Sequence, residues 1–336
     1  MKFEFNQSVF RNSVVLIAAI LALFVLKAAS GVLLPIITSV FIYIVFYPYL
    51  NKLKAAGVRH GVIVFISMAV LIVLLALFLL VVIYTIDRLV STITEYADMA
   101  DSVYRSVMSY LHERFKISGH PKNINLLASL ADYSVSYLKG NIMYFRNLVT
   151  SLLLIIIYDF FLFLDHVRIT RTIGKFIRKR RAAIAVELTL RQVSHYIGVK
   201  FIISLATAAA FFIVMALNGM KDTLVLSALV FMMNFIPTIG SIVSTMVVSL
   251  LAFVQFGVSG SITNAIVITV LCIAIQFVMG NFLDPQFTGK RVRLSPLVVL
   301  VSVAIWGYLL GGMGMVLAVP ITCMIKNFIK YGGMMR

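Results

Sequence analysis

Apolar residues in this chain fall into long runs with few polar interruptions, and the run lengths predict helices that cross a bilayer. Five runs read as plain spans, at about 12–29, 31–50, 61–86, 147–164 and 197–217, and a sixth covers 261–283. Two other stretches, 223–256 and 295–329, are each over 30 residues long. That is too long for one upright span and too short for two. Each is interrupted midway, the first by Asn234, Pro237 and Gly240 and the second by Gly311, Gly312 and Gly314. Proline lacks an N–H and clashes with the preceding turn, and an amide in hydrocarbon needs a partner. Each half is then about 14–16 residues, or ~21–24 Å of helix, short of the ~30 Å hydrocarbon core. Two half-length helices joined at such a tip describe a re-entrant hairpin; a single kinked span is the alternative.

Two other segments carry helical periodicity without being spans. Ile86, Val90, Ile93, Ala97, Ala100, Tyr104, Val107 and Leu111 alternate in steps of four and three, a heptad seam. A second run from Ile124 to Phe145 follows the break at His120 and Pro121. Together they predict an antiparallel helical hairpin outside the membrane, whose seams serve either packing within one protomer or a contact between subunits. Segment 165–200 carries nine Lys and Arg with a broken apolar stripe, as expected of a basic amphipathic helix on an anionic leaflet.

Composition and charge orient this pattern. The 336 residues are 62% hydrophobic with a mean hydropathy of +1.05 and a formal net charge of +17. Cytoplasmic loops of membrane proteins collect Lys and Arg. With the N-terminus inside, the inside segments hold +16, the outside segments, with Lys27 read as a loop charge, hold +2, and Asp159 within a span gives −1. This works only if both broken stretches return to the side they came from, which keeps Lys290, Arg291 and Arg293 inside. The basic balance is therefore read as topology rather than nucleic-acid binding. The first run follows Lys2 and Arg11 and leads straight into the next, so it is read as an uncleaved span.

The expected fold is an all-α polytopic membrane protein, with about six transmembrane helices, two broken or re-entrant hairpins in inverted-repeat arrangement, and an extramembrane helical hairpin. Span plus hairpin, repeated with opposite topology, is a transporter pattern. The expected division is 1–86 as N-terminal transmembrane helices, 87–146 as the extracytoplasmic hairpin, 147–200 as the fourth span with the basic segment, and 201–330 as the transport core.

Candidate chemistry is sparse. There is no HExxH, GxSxG, P-loop or dinucleotide fingerprint, so no enzyme activity, cofactor or metal site is expected. Cys272 and Cys323 lie in apolar runs and read as small core residues. Asp159 is the one carboxylate well inside a span. It reads either as a functional acid or as an interfacial acid paired with a residue such as Arg168. Gln276, Asn281 and Asp284 are polar on the inner part of the sixth span and, with Asn234, could line a cavity. The tips themselves, Asn234, Pro237, Gly240 and Ser241 at one and Gly311, Gly312 and Gly314 at the other, come from opposite faces and are expected to act as gates near the midplane. Unpaired tip backbone could contact cargo, Asn234 would help satisfy it and Gly240 would let the chain turn.

The stretches "NFIPTIGS" and "GNFLDPQFTGKRVRLSPLVVLVSVAIWGYLLGGMGMVLAVP", with the basic segment after the fourth span, resemble the autoinducer-2 exporter family, also called PerM-like permeases. The resemblance implies an inner-membrane transporter with eight hydrophobic segments; the charge count puts both termini in the cytoplasm, and the lack of an ATP-binding motif makes any transport secondary. The resemblance also implies either export of a small polar molecule such as autoinducer-2 or sodium (lithium)/proton antiport, in a pentamer. The expected partners are therefore a small polar solute, Na+ or H+, the lipid bilayer and further copies of the chain. The family often has Lys before the acid that ends the fourth span; here the pair is Leu164 and Asp165, with Asp159 upstream. A membrane scaffold that recruits partners through its helical hairpin is the reading from another class.

Overall fold

The computed structural model describes residues 7–115, 142–176, 180–258, 260–284, 286–287 and 294–332. In hydrocarbon the backbone must satisfy its own hydrogen bonds, and the described residues form helices joined by short turns. In chain order these are α1 (Gln7–Ala28), α2 (Ser30–Ala55), α3 (His60–Phe115), α4 (Ile142–Leu164), α5 (His166–Phe176), α6 (Arg180–Leu217), α7 (Thr223–Met233), α8 (Ile239–Val258), α9 (Ile262–Val278) and α10 (Pro296–Gly332). Among the described residues six stretches are long and apolar enough to cross a bilayer: Ser30–Ala55, His60–Thr85, Val186–Leu217, Ile239–Gly257, Ile262–Leu283 and Pro296–Lys330. The protein is thus an all-α polytopic membrane protein. Span and seam share one helix, because α3 runs without interruption for 56 residues, roughly 84 Å. The side chains of the seam residues, the run from Ile124 to Phe145 except for the backbone of its last few residues, and the cluster Lys290, Arg291 and Arg293 lie outside the described residues.

The chain divides into two compact units. One comprises Met1–Met68, Ser151–Leu190 and Ser295–Arg336. Its core contains Phe41, Tyr43, Ile44 and Leu50 of α2, Ile63 and Val64 of α3, and Ile155 and Phe163 of α4. Phe46 packs on Phe163 with ring centroids 5.4 Å apart. His60 at the start of α3 bonds through Nε2 to the Leu164 carbonyl at the end of α4, at 2.9 Å.

In this unit α10 is two arms. Gly311 has φ 68° and ψ −152°, a combination open essentially to glycine alone, and there the helix folds back. Thr322 Oγ1 donates to Ser302 Oγ at 2.9 Å, although 20 residues of straight helix would hold them ~30 Å apart. Trp306 Nε1 donates to the same threonine oxygen at 3.3 Å. The arms pass closely: a Cβ on Gly314 would stand 2.0 Å from the Trp306 carbonyl oxygen. The break also frees carbonyls at the end of the first arm. Lys27 of α1 donates to that of Tyr308 and lies 4.9 Å from the Tyr308 ring centroid.

The other unit comprises Ala69–Thr150 and Arg191–Leu294. Its core joins Phe211 and Met215 of α6, Leu226 and Val230 of α7, Val248, Ala252 and Phe256 of α8, and Ala265, Ile268 and Cys272 of α9. The first broken stretch is also a hairpin. Gln255, near the end of α8, accepts from the Lys221 amide at 3.0 Å and donates to the Gly219 carbonyl at 3.1 Å, so the chain returns to where α7 began. Lys221 also pairs with Glu95 on the α3 extension, which puts that extension at the same end. Both broken stretches are therefore hairpins rather than kinked spans.

The hairpins are less symmetric than the sequence suggests. The first has arms of 11 and 20 residues rather than two of equal length. Its tip turns not at Gly240 but at Thr238, which has φ 63°, uncommon for a β-branched residue. Gly240 is required for space, since a Cβ there would meet the Met233 carbonyl oxygen at 1.7 Å.

Candidate functional site

The site follows from one face of α6. Tyr196, Lys200, Ser204 and Thr207 recur at helical spacing, so they lie along one stripe, and all four are buried. An apolar span gives Lys200 no counter-charge of its own. That charge comes from the end of α9, where α-helix gives way to a π turn over Met279–Leu283. Such insertions re-aim side chains and recur at functional sites. Asp284, next in the chain, reaches Lys200 with Oδ2 2.7 Å from Nζ; their side chains are 25% and 6% exposed. One residue before Tyr196, His195 donates through Nε2 to the Phe287 carbonyl at 3.3 Å.

One turn and two turns further along, the stripe meets the hairpin tip. Asn234 is buried, and its Nδ2 donates to Ser204 Oγ at 3.2 Å and to Thr207 Oγ1 at 3.5 Å. Thr207 Oγ1 in turn donates to the Ile203 carbonyl at 2.7 Å. The expectation that Asn234 satisfies freed tip backbone is corrected here. The tip closes on itself, with the amides of Asn234, Phe235 and Ile236 bound to Val230, Met232 and Met233 and that of Gly240 bound to Ile236. Its Asn side chain is therefore free to reach α6. From Lys200 to Thr207 the line covers about 10 Å of helix. A buried line of this kind can pass a small polar solute or ion from one hydrogen-bonding group to the next.

The other sequence candidates sit as follows. Ser241 Oγ donates to the Thr238 carbonyl at 3.1 Å, closing the tip, and Pro237 is half-buried within it. The side chain of Gln276 is half-buried with Oε1 unpartnered among the described residues, whereas Asn281 is exposed. Gly311 and Gly312 are exposed and Gly314 is buried. Lys200, Ser204 and Thr207 were missed in the sequence, although their spacing of four and three in an apolar run was the available signal. Lys27, read as a loop charge, is a second omission.

Asp159 belongs to the other unit and is set differently. It is 0% exposed, and neither carboxyl oxygen has a hydrogen-bond partner among the described residues. The expected pairing with Arg168 is absent, since Arg168 lies exposed beyond the end of α4. Ser39 of α2 reaches the carbonyl of Ile155, one turn before Asp159, at 3.3 Å, and bonds to the Pro35 carbonyl at 2.9 Å. A carboxyl enclosed in this way has to take up a proton or a cation to remain in hydrocarbon.

The chain is similar to proteins named as transport proteins. The chain is 25% identical over 307 residues to the "AI-2 transport protein TqsA" of Escherichia coli (strain K12), covering 90% of this chain and 86% of the relative. It is 26% identical to a Haemophilus influenzae protein named "Putative transport protein", covering 96% of this chain and 92% of that one. The model of the AI-2E family transporters matches residues 14–333. The chain belongs to the AI-2E transporter family.

Proposed function

We propose that the protein is a secondary transporter of the bacterial inner membrane that exports a small polar molecule, autoinducer-2 or a solute of similar size and polarity, by alternating access. The observation that carries this reading is the buried polar line from the Lys200–Asp284 pair through Ser204 and Thr207 to Asn234. A membrane scaffold has no use for such a line, which costs free energy unless each member is partnered. In this reading Asn234, Pro237, Gly240 and Ser241 form the moving tip beside the solute, with Gln276, Asn281 and Asp284 toward its inner end. Gly311, Gly312 and Gly314 form the flexible tip of the second hairpin in its own unit. Both termini are cytoplasmic and residues 87–146 extracytoplasmic, as the charge distribution favours. The protein works as a homo-oligomer, a pentamer on the family resemblance.

A second reading, Na+(Li+)/H+ antiport, is favoured by Asp159, a buried acid with no counter-charge and no carboxyl hydrogen bond among the described residues. Flux in proteoliposomes decides between the two. Autoinducer-2 is loaded inside or outside, with and without a pH gradient, and Na+ and Li+ flux is followed in parallel. Solute flux that responds to the pH gradient supports export. Cation flux coupled to pH without solute flux supports antiport. Absence of both overturns the transport reading.

A further inference from the structure

We propose that the turn between α4 and α5, together with the start of α3, forms a cleft for the phosphodiester headgroup of an anionic membrane lipid. Its construction begins at Asp165, where the chain bends by 61° between the end of α4 and the start of α5. The bend carries α5 away from the line of the span. His166 pins the new helix: it is 1% exposed, and its Nδ1 lies 2.9 Å from the Tyr43 hydroxyl of α2. With that face held down, Arg168, Arg171 and Thr172 are left on the exposed side. An amphipathic helix leaving a transmembrane span in this manner lies at the membrane surface.

Between α5 and the start of α3 is a cavity of about 630 Å³, lined by His60, Leu164, Val167, Arg168, Arg171 and Thr172. Its polar wall supplies two guanidinium groups one turn apart, a hydroxyl and an imidazole. Guanidinium forks match phosphate oxygens two at a time. No carboxylate pairs with Arg168 or Arg171 among the described residues. The other wall, Leu164 and Val167, is apolar and stands at the end of the span, where acyl chains begin. A free phosphate would leave that wall unused, whereas a phospholipid fills both. Basic pockets beside transmembrane helices bind such headgroups.

The test uses the full-length protein purified in neutral detergent. It is titrated with phosphatidylglycerol or phosphatidylcholine, and retained lipid is counted by native mass spectrometry. Phosphatidylglycerol should be retained in preference. Arg168→Gln with Arg171→Gln should weaken it roughly 30-fold, as expected for two basic side chains at an anionic surface. Arg168→Lys with Arg171→Lys keeps the charge but loses the forks, and should fall between. Lys52→Gln with Lys330→Gln removes equal charge outside the cavity and should change retention little; melting curves confirm that all variants fold. Equal retention by wild type and the Gln pair overturns the proposal. So does wild-type retention by the lysine variant, which would mean diffuse attraction that needs only the charge, or displacement of the lipid by equimolar inorganic phosphate, which would mean a free-anion site.

Discussion

Asp284 lies at the end of a membrane helix with Lys200 2.7 Å away and a quarter of its side chain exposed. Asp159 lies five residues from the end of another, in the other unit, wholly enclosed and with neither oxygen bonded among the described residues. The first acid has a fixed counter-charge, so its charge can be part of the resting structure. The second has none among the described residues, so in the antiport reading its charge comes and goes with a proton or a cation. In an apolar medium the side chain's partner, more than its depth, decides whether it holds a structure together or exchanges something. That is why the Lys200–Asp284 pair is assigned to the solute line and Asp159 to the coupling reaction of the alternative reading.

The largest expected effect tests the first half of this contrast. Lys200→Met leaves Asp284 without its cation, and breaking a buried pair costs about 3–5 kcal/mol. Partial exposure of Asp284 screens it, so the loss should be nearer 2–3 kcal/mol. Thermal unfolding in detergent should show a clearly lowered midpoint, and Asp284→Leu added to Lys200→Met should restore most of it. If the single variant melts like wild type, the pair is not a structural ion pair and the contrast with Asp159 fails.

The span lengths and the two broken stretches were legible in the sequence because hydrocarbon thickness and the chemistry of Pro, Gly and Asn constrain them directly. Finer features were not. Both tips carry glycines at matching places, yet φ 68° singles out Gly311, a close carbonyl singles out Gly240 and Gly314, and Gly312 has open space where a Cβ would go. Composition cannot tell these demands apart, because each depends on how two arms pass. Lys200, Ser204 and Thr207 were hidden for a related reason. Their role depends on Asn234 and Asp284, which are 27 to 84 residues away in the chain. The π turn before Asp284 likewise has no local signature in "MGNFL".

A smaller effect should follow from Asn234→Ala, which removes the amide joining the tip to α6. The loss of its bonds to Ser204 and Thr207 should cost about 1 kcal/mol. Apparent solute affinity should change more than the melting midpoint. Should affinity be unaffected while stability falls, Asn234 is a packing element, and the solute line ends at Lys200 and Asp284.

For Asp159→Asn the contrast predicts near-silence in stability. An amide resembles the protonated acid in shape and polarity, so the melting midpoint should move by less than about 1 kcal/mol's worth. The pH dependence of flux should nevertheless be lost, because Asn cannot release a proton. A large gain or loss in stability would mean that Asp159 is held as a charged group, like Asp284.

Ser39→Ala is the smallest change and the one that separates a proton from a cation at Asp159. Ser39 Oγ already donates to backbone carbonyls, and back-bonding of this kind within a helix adds little stability. Its loss should cost about 0.5 kcal/mol or less. A bound proton needs only the carboxyl, so flux driven by a pH gradient should be unchanged in the variant. A bound Na+ or Li+ needs several oxygen ligands, and the Ser39 hydroxyl of α2, bonded to the carbonyl one turn before the acid, is the natural second ligand. Cation flux in the Ser39→Ala variant should then show a raised half-saturating concentration with its maximum rate preserved. Unchanged cation affinity would assign Asp159 to the proton alone. Loss of proton-driven flux as well would mean that Ser39 positions the acid itself, and the two units would then differ in how they hold their carboxylates rather than in whether they hold them.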